Sequence, residues 1–287
     1  MERDLFASLI AVARTLPEAR RRPPKSTYTH LHVLAVALWA AVHDRPISWA
    51  TRRTNRPAHD RARPLPSDAT MSRRLRDPAV LELLERIRRV GRIADDRTLM
   101  IDGRPLAIAN HSADRDATFG RGGGGLRKGY KLHAIVDSCG HCRAWRVETL
   151  NVSEQAAAKE LIAELEPGGA ERLLADANYD SNELYERAGE RGVQMLAQRR
   201  YKKAKGVGHR KHSVRRLRAL AIMRAEPGVL RGRRFIESCF GTQGNVVGGL
   251  GPLPNHVRGL DRVRRWVALK LAIDAAHRWR REHARAA

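Results

Sequence analysis

The sequence predicts an all-helical region at the start of the chain and a mixed α/β domain after it. Through residues 1–95, apolar residues recur every three or four positions, the spacing of helices buried on one face. From residue 97, short apolar runs alternate with capped helical segments, in the order strand, strand, strand, helix, strand, helix, strand, helix. An antiparallel ribbon of three strands that continues through a crossover into parallel strands gives a mixed sheet flanked by helices. We therefore expect two domains, residues 1–95 and residues 96–287.

The 287-residue chain carries a large excess of positive charge. Lys and Arg total 55 against 31 Asp and Glu, which gives a formal net charge of +24. Such an excess indicates a polyanionic partner, either nucleic acid or a membrane surface. The most apolar stretch, residues 31–42, is shorter than the roughly 20 residues that a bilayer requires, so no membrane span is expected. Three cysteines and the lack of a secretory signal favour the cytoplasm.

The helical region contains a candidate DNA-binding motif. Ser67 or Asp68 is expected to cap a short helix that carries Arg73 and Arg74. Asp77 is expected to cap the helix after it. Two helices joined by a tight turn, the first of them basic, allow a helix-turn-helix motif. A solvated basic helix in a small bundle explains the same pattern equally well.

The α/β domain is expected to begin with an antiparallel ribbon that places an acid at the end of a strand. Asp102 and Gly103 follow the first apolar run and are expected to terminate it. A glycine run at residues 122–125 lacks the spacing of a phosphate-binding loop, so a flexible linker is expected there. The expected elements are a strand at 98–101, a polar loop at 111–126, and a hairpin of strands at 131–136 and 142–150.

A second acid, Asp176, ends the apolar run of the fourth strand. Asp180 is expected to cap the next helix, with Glu183 completing a capping box. A basic stretch at residues 199–218 has the composition of a solvated, phosphate-facing surface. The remaining elements are expected to be helices at 153–165, 182–191, 229–240 and 260–281, and strands at 173–176 and 193–197.

Three acids stand at comparable places in this order. Asp102 ends the first strand, Asp176 ends the fourth, and Glu237 lies in a late helix. If the first and fourth strands pair, their terminal aspartates lie side by side at one edge of the sheet, and the glutamate arrives across from them. Clustered carboxylate oxygens are the ligands that Mg²⁺ and Mn²⁺ prefer, and two such ions can act together on a phosphodiester.

These residues lie in segments that resemble those of bacterial insertion-sequence transposases with the DDE triad. The resemblance covers roughly residues 30–275 in order and spacing. It is carried by Leu99-Met100-Ile101-Asp102-Gly103, by residues 128–137, by residues 174–181, and by Arg233-Arg234-Phe235-Ile236-Glu237. The resemblance implies that Asp102, Asp176 and Glu237 form the triad, and that Arg233 is the arginine four residues before the glutamate.

The resemblance also implies a ribonuclease-H-like catalytic domain, two Mg²⁺ or Mn²⁺ ions, and cut-and-join chemistry on double-stranded DNA. The partners would be the terminal inverted repeats of the element and a target DNA, with a homodimer holding two ends together in a nucleoid-associated complex. Leu230 and Gly244 stand where some branches of the family have tyrosine and lysine. The other function class that fits is a catalytically silent or domesticated DNA-binding protein derived from a transposase.

Several basic side chains are candidate DNA contacts. They are Arg73, Arg74, Lys128, Lys131, Lys202, Lys203 and Arg233. Solvated charge describes the flanking lysines equally well. His133 is more simply explained as a packed histidine than as a group at the metal edge.

The pair Cys139 and Cys142 has the CxxC spacing of thiol-disulfide oxidoreductases and of zinc sites. Redox function is disfavoured because the pair falls at a hairpin turn instead of a helix start. Zinc is disfavoured because no second CxxC or HxxxH motif stands at the required spacing.

Overall fold

In the computed structural model, residues 2–57, 64–90, 97–122, 124–200 and 212–286 are described. The chain divides into two compact units, Met1–Arg92 with Gln243–Ala287, and Ile93–Thr242. The division near residue 92 lies close to the expected boundary at residue 95. The C-terminal helix, expected in a domain of residues 96–287, belongs instead to the unit that contains the N-terminal helices.

The first unit is helical throughout its described part. The long C-terminal helix α10 packs against α1, α2 and α5, and their apolar faces form the core. None of the helices in the described ranges is both long and apolar enough to cross a membrane. The α-helices of this unit are α1 (Glu2–Arg14), α2 (His30–Val42), α3 (Ile47–Ala50), α4 (Asp68–Arg74), α5 (Pro78–Arg89) and α10 (Leu260–Ala286).

The helix starts predicted around the candidate DNA-binding motif are confirmed. The hydroxyl of Ser67 accepts a hydrogen bond from the Thr70 amide at 3.3 Å and caps α4. The carboxylate of Asp77 accepts one from the Ala79 amide at 3.0 Å and caps α5. A three-residue turn therefore joins two capped helices. Only the role of this pair in DNA binding stays a prediction.

The second unit is built on a mixed sheet, which has six strands in the described part of the chain. β3 pairs antiparallel with β1 on one side and with β2 and β4 on the other, and β1 and β5 and then β5 and β6 pair parallel. The antiparallel ribbon and the crossover to parallel strands are thus confirmed. The strands are β1 (Thr98–Ile108), β2 (Thr118–Gly122), β3 (Gly125–Asp137), β4 (Cys142–Thr149), β5 (Arg172–Ala175) and β6 (Gln194–Ala197).

Two predictions about the ribbon are wrong. The first strand does not end at Asp102, because the antiparallel ladder with β3 continues from Asp102 opposite Ala134 to Ile108 opposite Lys128. The polar loop is correct for residues 111–117, but the part from Thr118 on, with the glycine linker, belongs to strands β2 and β3, in which Gly122 pairs with Gly125. Polar and glycine-rich sequence is misleading here, because backbone hydrogen bonding within the sheet decides the structure.

Helices flank the sheet. The predicted start of α6 is confirmed, since the Ser153 hydroxyl accepts from the Ala156 amide at 3.1 Å. The predicted helix over 229–240 is a 3₁₀ helix, Val229–Arg233, that continues into α9. The helix α8, which overlaps the end of the expected basic surface, is not among the predicted helices. The helices of this part are α6 (Glu154–Ala163), α7 (Asn182–Glu190), α8 (Val214–Ala225) and α9 (Arg234–Asn245).

The predicted capping box at α7 is wrong. Ser181 occupies the cap position, with no side-chain cap hydrogen bond. The Asp180 carboxylate instead accepts from the Arg216 guanidinium at 2.7 Å and from the Arg200 amide at 3.0 Å. A charged partner on α8 therefore holds the side chain that sequence assigned to the helix start.

The β2–β3 hairpin approaches the chain after β4 closely at Gly120. A substitution at this position therefore tests how tightly the two segments are packed. A Cβ atom at Gly120 would lie 2.2 Å from the carbonyl oxygen of Leu150, whereas one at Gly125 would meet nothing within 4 Å. We expect Gly120→Ala to destabilise the protein by about 2 kcal/mol through overpacking, measured by urea unfolding. Gly125→Ala is the matched control, and equal losses in both variants would contradict the packing explanation.

Candidate functional site

Asp102 lies within β1 and is largely shielded from solvent. Its Oδ1 accepts a hydrogen bond from the Gly103 amide at 2.8 Å, and its side chain is 19% exposed. Its Oδ2 lies 3.7 Å from the Arg233 guanidinium. The carboxylate thus has one backbone donor and one distant cation.

Asp176 lies beside Asp102 because their strands pair in parallel. The last paired residues of β1 and β5 are Met100 and Leu174, and each aspartate lies two residues beyond this pair. Asp176 caps the 3₁₀ helix Ala177–Tyr179, with Oδ1 accepting from the Asn178 amide at 2.8 Å. The two carboxylates predicted to be neighbours at the sheet edge are therefore brought together.

Burial and the charge of neighbouring carboxylates raise the pKa of both aspartates. Burial is the main cause at Asp102 and raises its pKa to about 6, with the charges of Asp176 and Glu154 adding to the rise. The Gly103 amide and Arg233 oppose it. At Asp176, burial again raises the pKa, and the charge of Glu154 raises it further. This edge of the sheet holds more negative charge than its protein partners neutralise.

Glu237 is directed to Arg233. The Arg233 guanidinium donates to Glu237 Oε1 at 2.9 Å, one helical turn along the chain, and also lies 3.7 Å from Asp102. The glutamate side chain is 55% exposed. One arginine therefore stands between the third predicted acid and the first.

A further glutamate, Glu154, was not predicted for this site. It is the first residue of α6, and its Oε1 accepts from the Lys131 ammonium at 2.9 Å, with both side chains shielded from solvent. Its charge raises the pKa of Asp102 and of Asp176. An acid at the first position of a helix is ordinary in sequence, so its spacing does not distinguish it from a residue that complements the helix dipole.

Two buried polar side chains near these acids have no hydrogen-bond partner among the described residues. Both ring nitrogens of His133 and the hydroxyl of Tyr179 are unpaired, and both residues are 0% exposed. Burial lowers the pKa of His133 to about 4, so its ring is neutral at physiological pH. Burial raises the pKa of Tyr179 far above its ordinary value, and the charges of Glu154, Asp102 and Asp176 add to this.

The carboxylate oxygens of the site fit a hard divalent cation. The third predicted ligand, Glu237, is instead paired with Arg233. Within the described ranges, no three His, Cys, Asp or Glu side chains form a ready metal-binding group. Asp102 and Asp176 supply neighbouring oxygen donors whose mutual repulsion a cation would relieve. Glu237 would join them only after leaving Arg233.

The structure places the predicted DNA contacts differently. Arg73 is exposed, whereas Arg74 is buried and donates to the Ser26 hydroxyl at 2.7 Å and the Tyr28 carbonyl at 3.1 Å. Burial therefore removes Arg74 from the accessible surface, and Lys131 is likewise buried in its ion pair.

The remaining predicted contacts have varied positions. Lys128 donates to the Ser112 carbonyl at 2.6 Å and is part-buried. Arg233 is part-buried between two acids. Lys202 and Lys203 lie outside the described residues.

The CxxC pair forms neither a disulfide nor part of a metal site in the described chain. Cys139 is exposed and Cys142 is buried, and neither takes part in a disulfide within the described residues. Cys142 begins β4 just after a turn, as the sequence predicts. The arrangement lacks the helix N-terminus that lowers a thiol pKa in oxidoreductases.

Asp102→Asn should stabilise the metal-free protein near neutral pH, because it removes a buried charge. The pKa of about 6 in the folded state lies above the ordinary value of 3.8, so folding strengthens proton binding. The resulting loss of stability is absent below the lower pKa, grows as the pH rises between the two, and is complete above the higher. Their difference corresponds to at most about 3 kcal/mol.

Urea unfolding in EDTA measures this effect. The gain in Asp102→Asn should be largest at about pH 7.5 and much smaller at about pH 4. A variant that is less stable than the parent protein at the higher pH would contradict the charge-repulsion explanation.

Comparison with known proteins identifies the family of the chain. A solved structure of the simian T-cell lymphotropic virus intasome in complex with PP2A regulatory subunit B56 gamma contains a matching chain with 16% identity and a TM-score of 0.26. The match covers 72% of the present chain and 57% of that one, a likeness that supports no conclusion. No curated protein matches the sequence. The family described as "Transposase DDE domain" matches residues 93–283, well over half of the chain, and the chain therefore belongs to this family.

Proposed function

We propose that the protein is a DNA transposase that cleaves and joins DNA at the ends of a bacterial insertion sequence. The observation that carries the proposal is the pair Asp102 and Asp176, at equivalent positions beyond the last paired residues of parallel strands β1 and β5. Membership of the transposase DDE domain family supports it. The proposed triad is Asp102, Asp176 and Glu237, and the proposed cofactors are two Mg²⁺ or Mn²⁺ ions.

The connectivity of the sheet supports a ribonuclease-H-like assignment for the catalytic domain. Three antiparallel strands, β1, β3 and β4, precede α6, and two parallel strands, β5 and β6, are added on the other side of β1. This order brings the first and fourth core strands together. The two acids that follow their paired segments then share one edge of the sheet.

Asp102, Asp176 and Glu237 would hold the divalent ions, which supply activation of an attacking oxygen and stabilisation of the leaving oxygen. The two aspartates contribute fixed oxygen donors, since the Gly103 and Asn178 amides orient them. Arg233 would release Glu237 and bind a DNA phosphate, for which its planar guanidinium is suited. Positioning and charge stabilisation then carry the reaction, without a covalent protein intermediate.

The net charge of +24 supports a DNA partner along much of the surface. Exposed Arg73 on α4, the first helix of the capped pair, remains a proposed DNA contact. Lys128, Lys202 and Lys203 are proposed contacts of the same kind, and Lys131 would become one if its ion pair opened. We propose a homodimer in the complex that brings two element ends together, with terminal inverted repeats and target DNA as partners.

Cleavage should require all three acids and a divalent metal. With DNA that carries the inverted repeats flanking the gene, the protein should produce nicked or cleaved ends only with Mg²⁺ or Mn²⁺. Asp102→Asn, Asp176→Asn and Glu237→Gln should each reduce the rate at least about a thousandfold while leaving DNA binding intact. Gel analysis of end-labelled DNA measures the products.

The control is Glu160→Gln, which alters an exposed acid on α6 that pairs with Arg146. It should cleave at the parental rate. Cleavage that persists in any of the three triad variants would overturn the assignment of that residue.

Arg233→Gln should lower the affinity for DNA, and the affinity of the variant should depend less steeply on salt concentration. If Arg233 takes up one phosphate, the slope of log affinity against log salt should fall by about one in the variant. Arg234→Gln, an exposed neighbour that removes the same charge, is the matched control. Equal changes in both variants would indicate a general charge effect and not a specific phosphate contact.

Two observations favour a second candidate, a DNA-binding protein without catalysis. Glu237 pairs with Arg233, and the described residues contain no ready metal-binding group of three side chains. Specific binding of the inverted repeats with no cleavage in Mg²⁺ or Mn²⁺ would select this candidate over the transposase.

A further inference from the structure

A part-buried ion pair lies beside the candidate site and has no part in the proposed triad. Lys131 on β3 is 8% exposed, and its ammonium donates to Glu154 Oε1 at 2.9 Å. Glu154 stands at the first position of α6, with its side chain 19% exposed. Partial removal of this pair from water needs an explanation, because a shielded ion pair is rarely more stable than apolar side chains of the same size.

The pair lies against the backbone that carries Asp102. A Cβ atom at Gly103 would lie 3.0 Å from Lys131 Cδ and 3.6 Å from Glu154 Oε1. Residue 103 has no side chain, so Glu154 reaches the backbone immediately beside Asp102, on the face of β1 opposite to the one from which residue 102 projects. The charge of Glu154 accordingly acts on Asp102, and at Asp176 it is the largest contribution from any charge.

The buried polar groups around Glu154 point to a ligand that the protein does not supply. His133 Nδ1 would lie 3.4 Å from the same Cβ position at Gly103, so its ring and the glutamate both approach this point of β1, and neither ring nitrogen has a partner in the described chain. The Tyr179 hydroxyl is also fully buried and unpaired, and of all nearby charges Glu154 acts on it most strongly. Buried polar atoms are normally satisfied, so these mark an incomplete polar site.

We propose that Glu154 is a fourth carboxylate of the metal site, and that Lys131 neutralises it while the protein is free of metal. This inference rests on the proposed function and extends its ligand set beyond Asp102, Asp176 and Glu237. Arg233 has the same relation to Glu237 and Asp102 that Lys131 has to Glu154. Two protein cations thus balance the clustered acids, and divalent ions compete with both.

Mn²⁺ binding to the full-length protein tests the proposal without relying on DNA cleavage. Free Mn²⁺ is measured by electron paramagnetic resonance as the protein is titrated. Glu154→Gln should weaken Mn²⁺ binding about tenfold, the size of effect seen when a residue supporting a metal site is lost. Glu160→Gln, on the exposed side of the same helix, should bind as the parent protein does.

Lys131→Met separates the metal role from a merely structural ion pair. It leaves Glu154 without its cation, so Mn²⁺ binding should be equal to that of the parent protein or tighter. If the pair only stabilises the fold, Glu154→Gln and Lys131→Met should weaken Mn²⁺ binding alike, and this result would overturn the proposal. The neutral double variant Lys131→Met with Glu154→Gln guards against misfolding, and it should still bind Mn²⁺ about tenfold more weakly than the parent protein.

Asp102→Asn distinguishes failure of this inference from failure of the proposed function. Loss of Mn²⁺ binding in Asp102→Asn together with parental binding in Glu154→Gln would overturn only the role of Glu154. Parental binding in both variants would overturn the metal site itself, and the fourth carboxylate with it.

Discussion

Repulsion between carboxylates that the fold partly removes from water is the constraint on which the rest of the site depends. Asp102 and Asp176 come together because β1 and β5 pair in parallel, and burial makes their charges harder to sustain. Basic side chains partly neutralise this excess of negative charge. Arg233 lies beside Asp102, and Lys131 pairs with Glu154. The native state thus holds an electrostatic arrangement that favours the arrival of further positive charge.

The helical unit uses a buried charge differently, with full compensation. Lys270 on α10 is 1% exposed, and its ammonium donates to the carbonyls of Ala41 and Gly248 and pairs with Asp44 at 2.7 Å. Every donor direction of this ammonium is occupied, so the lysine fastens α10 to the end of α2. The Tyr179 hydroxyl differs from this ammonium, because it is buried without a hydrogen-bond partner in the described chain.

Much of the architecture could be predicted because local and periodic patterns carry it. The capped starts of α4, α5 and α6, the antiparallel ribbon and the strand before Asp176 all follow from residue types at fixed spacing. The extension of β1 past Asp102 and the β2–β3 hairpin could not, since long-range backbone pairing overrides their polar and glycine-rich composition. α8 was missed because four of its twelve residues are arginines and its apolar residues form no buried face, with Ala219 alone among them buried.

The site was predictable to the extent that strand order places acids together. The neighbouring positions of Asp102 and Asp176 followed from the parallel crossover alone. The pairing of Glu237 with Arg233 and the presence of Glu154 depend on side-chain directions that spacing does not encode. Arg74 shows the same limit, because its burial under Ser26 and Tyr28 involves residues more than 45 positions away in sequence.

The short ladder between β1 and β5 has a consequence for folding kinetics. The antiparallel ribbon joins strands that are close in sequence, whereas β5 must close a loop of more than 70 residues to reach β1 and then gains only three paired positions. Loop-closure entropy makes such a contact late to form, and a short ladder makes it early to open. The pairing that brings the two aspartates together is therefore the least redundant backbone contact of β1, whereas its pairing with β3 has ten positions.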